Sequence, residues 1–141
     1  MIVHEIVLAL DIGSVRIGMA ISDALGFMAH PLNTLKWTNI NILIDELNQV
    51  IKTKNVQRIV VGLPLNMSGQ YTKQTENVNK IVDKLVLNLD IPVETIDERL
   101  TTKMAEKMLQ GVGKKASKNR HVIDQIAAVN ILQTYLDKKH N

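Results

Sequence analysis

Four acidic residues stand where the chain would change direction. Asp11 closes the apolar run Leu8-Ala9-Leu10 just before a turn at Gly13-Ser14. Asp97 and Glu98 close the short run PVETID-E and precede Arg99. Asp124 shares one side of a helical pattern with Ala127, Ala128, Ile131 and Tyr135. Each has a plain structural account. Asp before Gly is turn chemistry, Asp97 or Glu98 can pair with Arg99, and Asp124 suits the positive end of a helix. The macrodipole account favours a solvated acid, yet Asp124 lies on the row that should pack. A carboxylate held among small apolar residues needs a partner, and a cation would serve. Carboxylates brought together without cysteine specify a hard, oxygen-ligated ion, Mg²⁺ or Mn²⁺ rather than zinc. Such an ion can activate water and stabilise the leaving oxygen in phosphodiester hydrolysis. The four histidines, His4, His30, His121 and His140, show no paired ligand spacing.

The segment GVGKKASKNR carries Lys114, Lys115, Lys118 and Arg120 without an acid. Without those four charges the net charge of +3 would be −1, so the basicity is local. A run of this kind is either a solvated loop or an arm that contacts phosphates. It lies directly before Asp124, beside the proposed acids. With one Trp, two Tyr and one Phe, any contact to nucleic acid should rely little on stacking.

The elements that must position these residues follow from periodicity. Residues 3 to 11 and 15 to 22 read as two hairpin-linked strands, the second alternating with Val15, Ile17, Met19 and Ile21 on one face. PLNTLK at 31 to 36 reads as a third strand, with Pro31 at its start or on an edge. Ile40, Leu43, Ile44, Leu47, Val50 and Ile51 mark a helix that Thr38 or Asn39 can cap. RIVVGLP at 58 to 64 and PVETID at 92 to 97 are strands on either side of a helix marked by Val78, Ile81, Val82, Leu85 and Leu89. A third helix is expected around Met104, Ala105, Met108 and Leu109, ending at Gly111, and a last one from about 121 to 138. Three meander strands followed by strand-helix alternation predict a mixed α/β sheet. Right-handed crossovers lay the first, fourth and fifth strands parallel. Their carboxyl ends then converge on one edge, where ligand sites of open α/β sheets lie.

A chain of 141 residues with 45% hydrophobic content suits one domain with one core. No run approaches the ~18 apolar residues of a membrane span. MIVHEIVLALD reads as a strand, not a signal peptide, and with no cysteine in the chain the expected location is the cytoplasm.

Taken in order, LALDIGSVRIGMAISD, the HPL that follows it, VVGLPLNMSG, TIDERLTT and VIDQIAAVNILQTYLD resemble the YqgF family of RuvC-like pre-16S rRNA nucleases, also described as Holliday junction resolvases. The resemblance covers nearly the whole chain, and GLPLNMSG and DERLTT are its most specific parts. It implies a single RNase H-like domain over 1–141, with sheet order 3-2-1-4-5 and strand 2 antiparallel. It implies a divalent-metal nuclease with Asp11, Glu98 and Asp124 as the acidic cluster, Asp97 competing with Glu98 for the middle place. Arg16, Asn66, Arg99 and Thr101 fall in the matching motifs and are expected at the same edge. Arg16, Arg99, Lys114, Lys115, Lys118 and Arg120 are the expected nucleic-acid contacts. The implied function is 5′-end processing of pre-16S rRNA in ribosome biogenesis, by a monomer or weak homodimer acting on an rRNA precursor. Two alternatives share the fold: a resolvase-like endonuclease on branched DNA, and a non-catalytic nucleic-acid-binding protein. A third, a phosphotransferase of the actin-hexokinase type, is suggested by DIGSVRIGMA. It would need a second such domain, and Gly13 to Gly18 lacks the Lys-Ser/Thr ending of a P-loop.

Overall fold

The computed structural model describes residues 4–101 and 120–140. Five strands form one sheet: β1 (Val7–Ile12), β2 (Arg16–Ser22), β3 (Ala29–Lys36), β4 (Arg58–Leu63) and β5 (Val93–Asp97). Three helices are described, α1 (Ile40–Lys54), α2 (Lys73–Asn88) and α3 (Arg120–Lys139), with a 3₁₀ turn over Glu98–Thr101. The sheet order is β3-β2-β1-β4-β5. β2 runs antiparallel to β1 and β3. β4 is parallel to β1, and β5 is parallel to β4. The order and directions match those expected from the alternation of elements. The helix expected around Met104–Leu109 and the basic residues Lys114, Lys115 and Lys118 lie outside the described residues.

Period-two alternation divides the core between the two faces of the sheet. Leu8, Leu10, Ile17, Met19, Ile59 and Val61 pack on one side with Leu43 and Leu47 of α1 and Val78, Val82 and Leu85 of α2. Val7, Ala9, Ala20 and Val60 pack on the other with Ala128, Ile131, Leu132 and Leu136 of α3. Asp11 has the parity of Val7 and Ala9, so β1 delivers it to the α3 face. Val15 departs from the alternation. It belongs to the turn, where Gly13 N–H donates to Arg16 O at 2.9 Å, and it is 57% exposed.

The helix starts are fixed by side-chain oxygens, as capping chemistry requires. Asn39, one of the two expected caps, accepts from Ile42 N–H at 3.0 Å. Thr72 and Thr75 form a reciprocal capping box for α2. Thr75 is fully buried and its hydroxyl also donates to the Pro64 carbonyl, tying α2 to the chain that leaves β4.

Candidate active site

The carboxyl ends of β1, β4 and β5 meet at one edge of the sheet, and the amino-terminal part of α3 lies across it. β1 brings Asp11, β5 ends at Asp97, and the 3₁₀ turn begins at Glu98. Strand geometry alone would send Asp97 and Glu98 to opposite faces. Here they take different partners. Asp97 belongs to Arg99, whose guanidinium reaches its carboxylate at 2.6 and 3.1 Å and whose backbone N–H donates to it at 3.0 Å. This pairing holds the Asp97 carboxyl below its ordinary range. Glu98 instead makes a side-chain hydrogen bond with Asp11.

Two glycines let these groups come together. Gly62 of β4 lies under Ile131 of α3, and a Cβ there would stand 2.5 Å from Ile131 Cδ1 and 3.7 Å from the Glu98 carboxyl carbon. Gly18 is the cross-strand partner of Asp11. A Cβ on Gly18 would collide with the Asp124 carbonyl oxygen and lie 2.8 Å from its carbonyl carbon. The bare backbone of Gly18 is thus what allows α3 to bring Asp124 onto the strand that faces Asp11.

Asp11 is half-buried, and its pKa is pushed from the usual 3.8 to about 8. Burial is the largest cause, followed by the negative charge of Glu98, the hydrogen bond with Glu98, and the charge of Asp124. A carboxyl-carboxylate hydrogen bond needs a proton between the two groups. Burial and the neighbouring carboxyl groups thus favour the protonated form of Asp11 near neutral pH. Asp124 is half-buried and ion-paired, accepting from Arg16 Nε at 2.9 Å, with side-chain exposures of 23% and 25%. Among the described residues, no three acidic or histidine side chains stand as a ready-made metal cage. What the structure brings together is one proton-sharing pair, Asp11 and Glu98, with a third carboxylate whose charge is felt there but whose oxygen rests on Arg16.

The remaining residues of the matching motifs organise the rim. Asn66 Oδ1 accepts from Ser68 N–H at 3.1 Å and Gln70 N–H at 2.8 Å, closing the NMSG loop. Gly69 in that loop has φ +82° and lies against the Arg99 guanidinium, and Arg99 Nη1 donates to Met67 O at 3.4 Å. Arg99 therefore joins the loop after β4 to the end of β5. Arg16 and Arg99, expected as phosphate contacts, both rest on carboxylates. The pairing of Arg99 with Asp97 could be foreseen from their adjacency. That of Arg16 with Asp124 spans 108 positions and has no local signal.

Both the sequence and the fold have known relatives. The family model RuvX, described as Holliday junction resolvase, matches residues 5–138. A protein of Chloroflexus aggregans named "Putative pre-16S rRNA nuclease" is 42% identical over 138 residues, covering 98% of this chain and 97% of its own. One of the same name from Natranaerobius thermophilus is 38% identical over 135 residues, covering 96% of both. Among solved structures, T. thermophilus RuvC in complex with Holliday junction substrate superposes with TM-score 0.58 at 16% identity, covering 98% of this chain and 97% of its own. The Fowlpox virus resolvase, solved with Holliday junction DNA, gives 0.56 at 10% identity, covering 96% of this chain and 99% of its own. At those identities the structural likeness speaks for the fold, which is that of RuvC-like resolvases.

Proposed function

The chain belongs to the RuvX family, and from that premise we propose that it is a divalent-metal-dependent endonuclease that processes the 5′ end of pre-16S rRNA. The observation that carries the metal-dependent part is geometric: the Asp11 and Glu98 side chains meet in a hydrogen bond, and Gly18, the cross-strand partner of Asp11, lets the backbone of Asp124 close on the same edge. Oxygen-only donors with excess negative charge suit a hard cation, Mg²⁺ or Mn²⁺. Asp11, Glu98 and Asp124 would hold the ion. When bound, it would supply Lewis-acid stabilisation of the phosphate and a more acidic water.

The protein's own groups have distinct tasks in this reading. Asp11 and Glu98 would present two carboxylates, one from the end of β1 and one from the 3₁₀ turn. Asp124, which rests on Arg16, would join them as the third carboxylate, and the Arg16 guanidinium would then be available to hydrogen-bond phosphate oxygens as a planar fork. Asp97 and Arg99 keep the NMSG loop on the rim without entering the reaction. Lys114, Lys115, Lys118 and Arg120, in the segment before Asp124, contact the phosphate backbone on either side.

The test is cleavage by purified protein with Mg²⁺ or Mn²⁺ on a pre-16S rRNA 5′-leader fragment and on a four-way DNA junction in parallel. The rRNA fragment should be cut at defined positions only when a divalent ion is present. Selective cutting of the junction would move the chain to the resolvase reading that the described family name carries. In the same assay Glu98→Gln should remove cleavage while Asp97→Asn retains most of it. The reverse order would give Asp97 the middle place.

Arg16 makes a separate prediction. Calorimetric titration of Arg16→Ala with Mn²⁺ should show tighter binding, because Asp124 no longer has a competing cation. A half-buried pair of this kind is worth about 0.5–1 kcal/mol, so the gain should be about two- to fivefold. Weaker binding would mean that Arg16 aligns Asp124 for the ion instead of competing for it.

A further inference from the structure

A cavity of about 370 Å³ lies on the opposite face of the same sheet edge, with Gly13, Ser14, Trp37, Gln74, Asn77 and Lys80 in its wall. Its position follows from strand parity. Asp11 faces α3, while Ile12, the next residue, faces α2 and lines this cavity. The turn Gly13-Ser14, which follows β1 directly after Asp11 and Ile12, forms part of the cavity wall. Its size falls within the range of small-ligand sites, and its composition is theirs too: an apolar floor with a few polar groups at the mouth.

Three features say what would fit. Trp37 is the single tryptophan of a chain with four aromatic residues, and it is half-buried here, at the end of β3, with its backbone N–H bonded to Val15 O at 2.9 Å. Gln74 and Asn77 offer side-chain amides from consecutive turns of α2. Gln74 Nε2 makes one long contact of 3.5 Å to Ile12 O, and the Asn77 side chain has no hydrogen-bond partner among the described residues. Lys80 is exposed and makes no ion pair among the described residues. An indole for stacking, amides that can pair with a base edge, and an ammonium for a phosphate form a set suited to one nucleotide of a single strand.

We propose that this cavity binds a nucleobase of the single-stranded segment flanking the cleaved bond, with Trp37 as the stacking platform, Asn77 and Gln74 reading the base edge and Lys80 on the adjoining phosphate. The role of the flanking segment rests on the nuclease reading above. The binding itself does not. A strand draped over Gly13-Ser14 would place one base in the cavity while a neighbouring phosphate reaches the acids. The site would therefore set the position of the cut relative to an unpaired nucleotide.

The lone tryptophan makes the test direct. Its emission is followed as a short oligoadenylate, in ribo and deoxy forms, is titrated into the full chain in EDTA, where no cleavage occurs. Saturable quenching is expected. An oligonucleotide of the same length with abasic central residues should bind weakly and quench little. Asn77→Ala and Lys80→Ala, both at exposed positions that leave the fold intact, should weaken the quenching titration severalfold. Trp37→Leu, checked for folding by its melting curve, should weaken binding measured by anisotropy of a labelled strand by about 5- to 150-fold, the range for one lost stacked base. Absent quenching, or equal quenching by the abasic strand, overturns the proposal. Cleavage is scored separately with Mn²⁺. A chain that cuts without quenching loses only this subsite, whereas quenching without any cut keeps the subsite and removes the nuclease reading.

Discussion

Asp11→Asn should abolish metal-dependent cleavage and, in the absence of metal, make the protein more stable. The two effects share one cause. Asp11 is taken out of water beside Glu98 and Asp124, and burial first, then the charge and hydrogen bond of Glu98 and the charge of Asp124, raise its pKa from 3.8 to about 8. A raised folded-state pKa on an acid means that the folded chain holds a proton that the unfolded chain releases. The cation-free fold therefore loses stability as pH rises from about 4 to about 8, and is least stable above that window. Asparagine carries no charge to repel and can still donate to Glu98. At 1.36 kcal/mol per pKa unit, discounted for partial exposure and for the coupling with Glu98, the gain at pH 8 should be on the order of 2 to 4 kcal/mol. Thermal melts with EDTA should show the variant several degrees above wild type at pH 8 and level with it near pH 4. Adding Mn²⁺ should raise the wild-type melting temperature, since an ion at a hundred times its Kd contributes about 2.7 kcal/mol, and should do little for the variant. Loss of a charged ligand removes several kcal/mol of charge stabilisation, so cleavage should fall by at least about 10³-fold. Equal melting curves at pH 4 and pH 8 would show that Asp11 is not strained by its neighbours. Unchanged Mn²⁺ binding would remove it from the cation site.

Much of this arrangement is legible in the sequence because it rests on local patterns. Alternation in residues 7–22 and the apolar run at 58–63 fix which side chains face which helix. Crossover handedness then fixes that β4 and β5 lie parallel to β1, so the convergence of Asp11 with the Asp97-Glu98 step follows from topology alone. The choice between Asp97 and Glu98 does not follow, because it depends on where the strand stops. β5 ends at Asp97, the backbone turns into a 3₁₀ helix, and Arg99 folds back on Asp97, leaving Glu98 beside Asp11. The Arg16–Asp124 pair is equally invisible, since helical periodicity gives the side of α3 that packs but not its height on the sheet. The exposed apolar cluster at the β2–β3 hairpin, Leu25, Phe27 and Met28, is another feature that periodicity misses. Those residues lie between strands and carry no alternation of their own. Phe27 is stacked on His140, which follows α3, with ring centroids 4.4 Å apart, a contact between residues 113 positions apart in the sequence.

The height of α3 on the sheet is the quantity that Gly18→Ala should change, and it gives the second large effect. Gly18 pairs with Asp11 across the β1–β2 ladder, and any Cβ there would overlap the carbonyl of Asp124. The obstacle is helix backbone, not the end of a flexible side chain, so the helix itself must move. Overpacking of this kind costs about 1–3 kcal/mol and at times more. Gly62→Ala is the informative contrast, because its closest obstacle is the terminal methyl of Ile131, at 2.5 Å, which can rotate. Gly18→Ala should therefore melt well below Gly62→Ala at the same pH. Its remaining folded fraction should bind Mn²⁺ weakly, because the shift falls on the one turn that carries Asp124. A displacement approaching 1 Å at a catalytic ligand is worth about 100-fold in rate. Asp11→Asn and Gly18→Ala then form an opposed pair: one removes a charge and should tighten the empty fold, the other keeps every charge and should loosen it, yet both are expected to lose the proposed cation. A Gly18→Ala protein as stable as wild type, with Mn²⁺ affinity intact, would show that α3 does not rest on β2 at Asp124, and the third carboxylate would have to come from elsewhere in the chain.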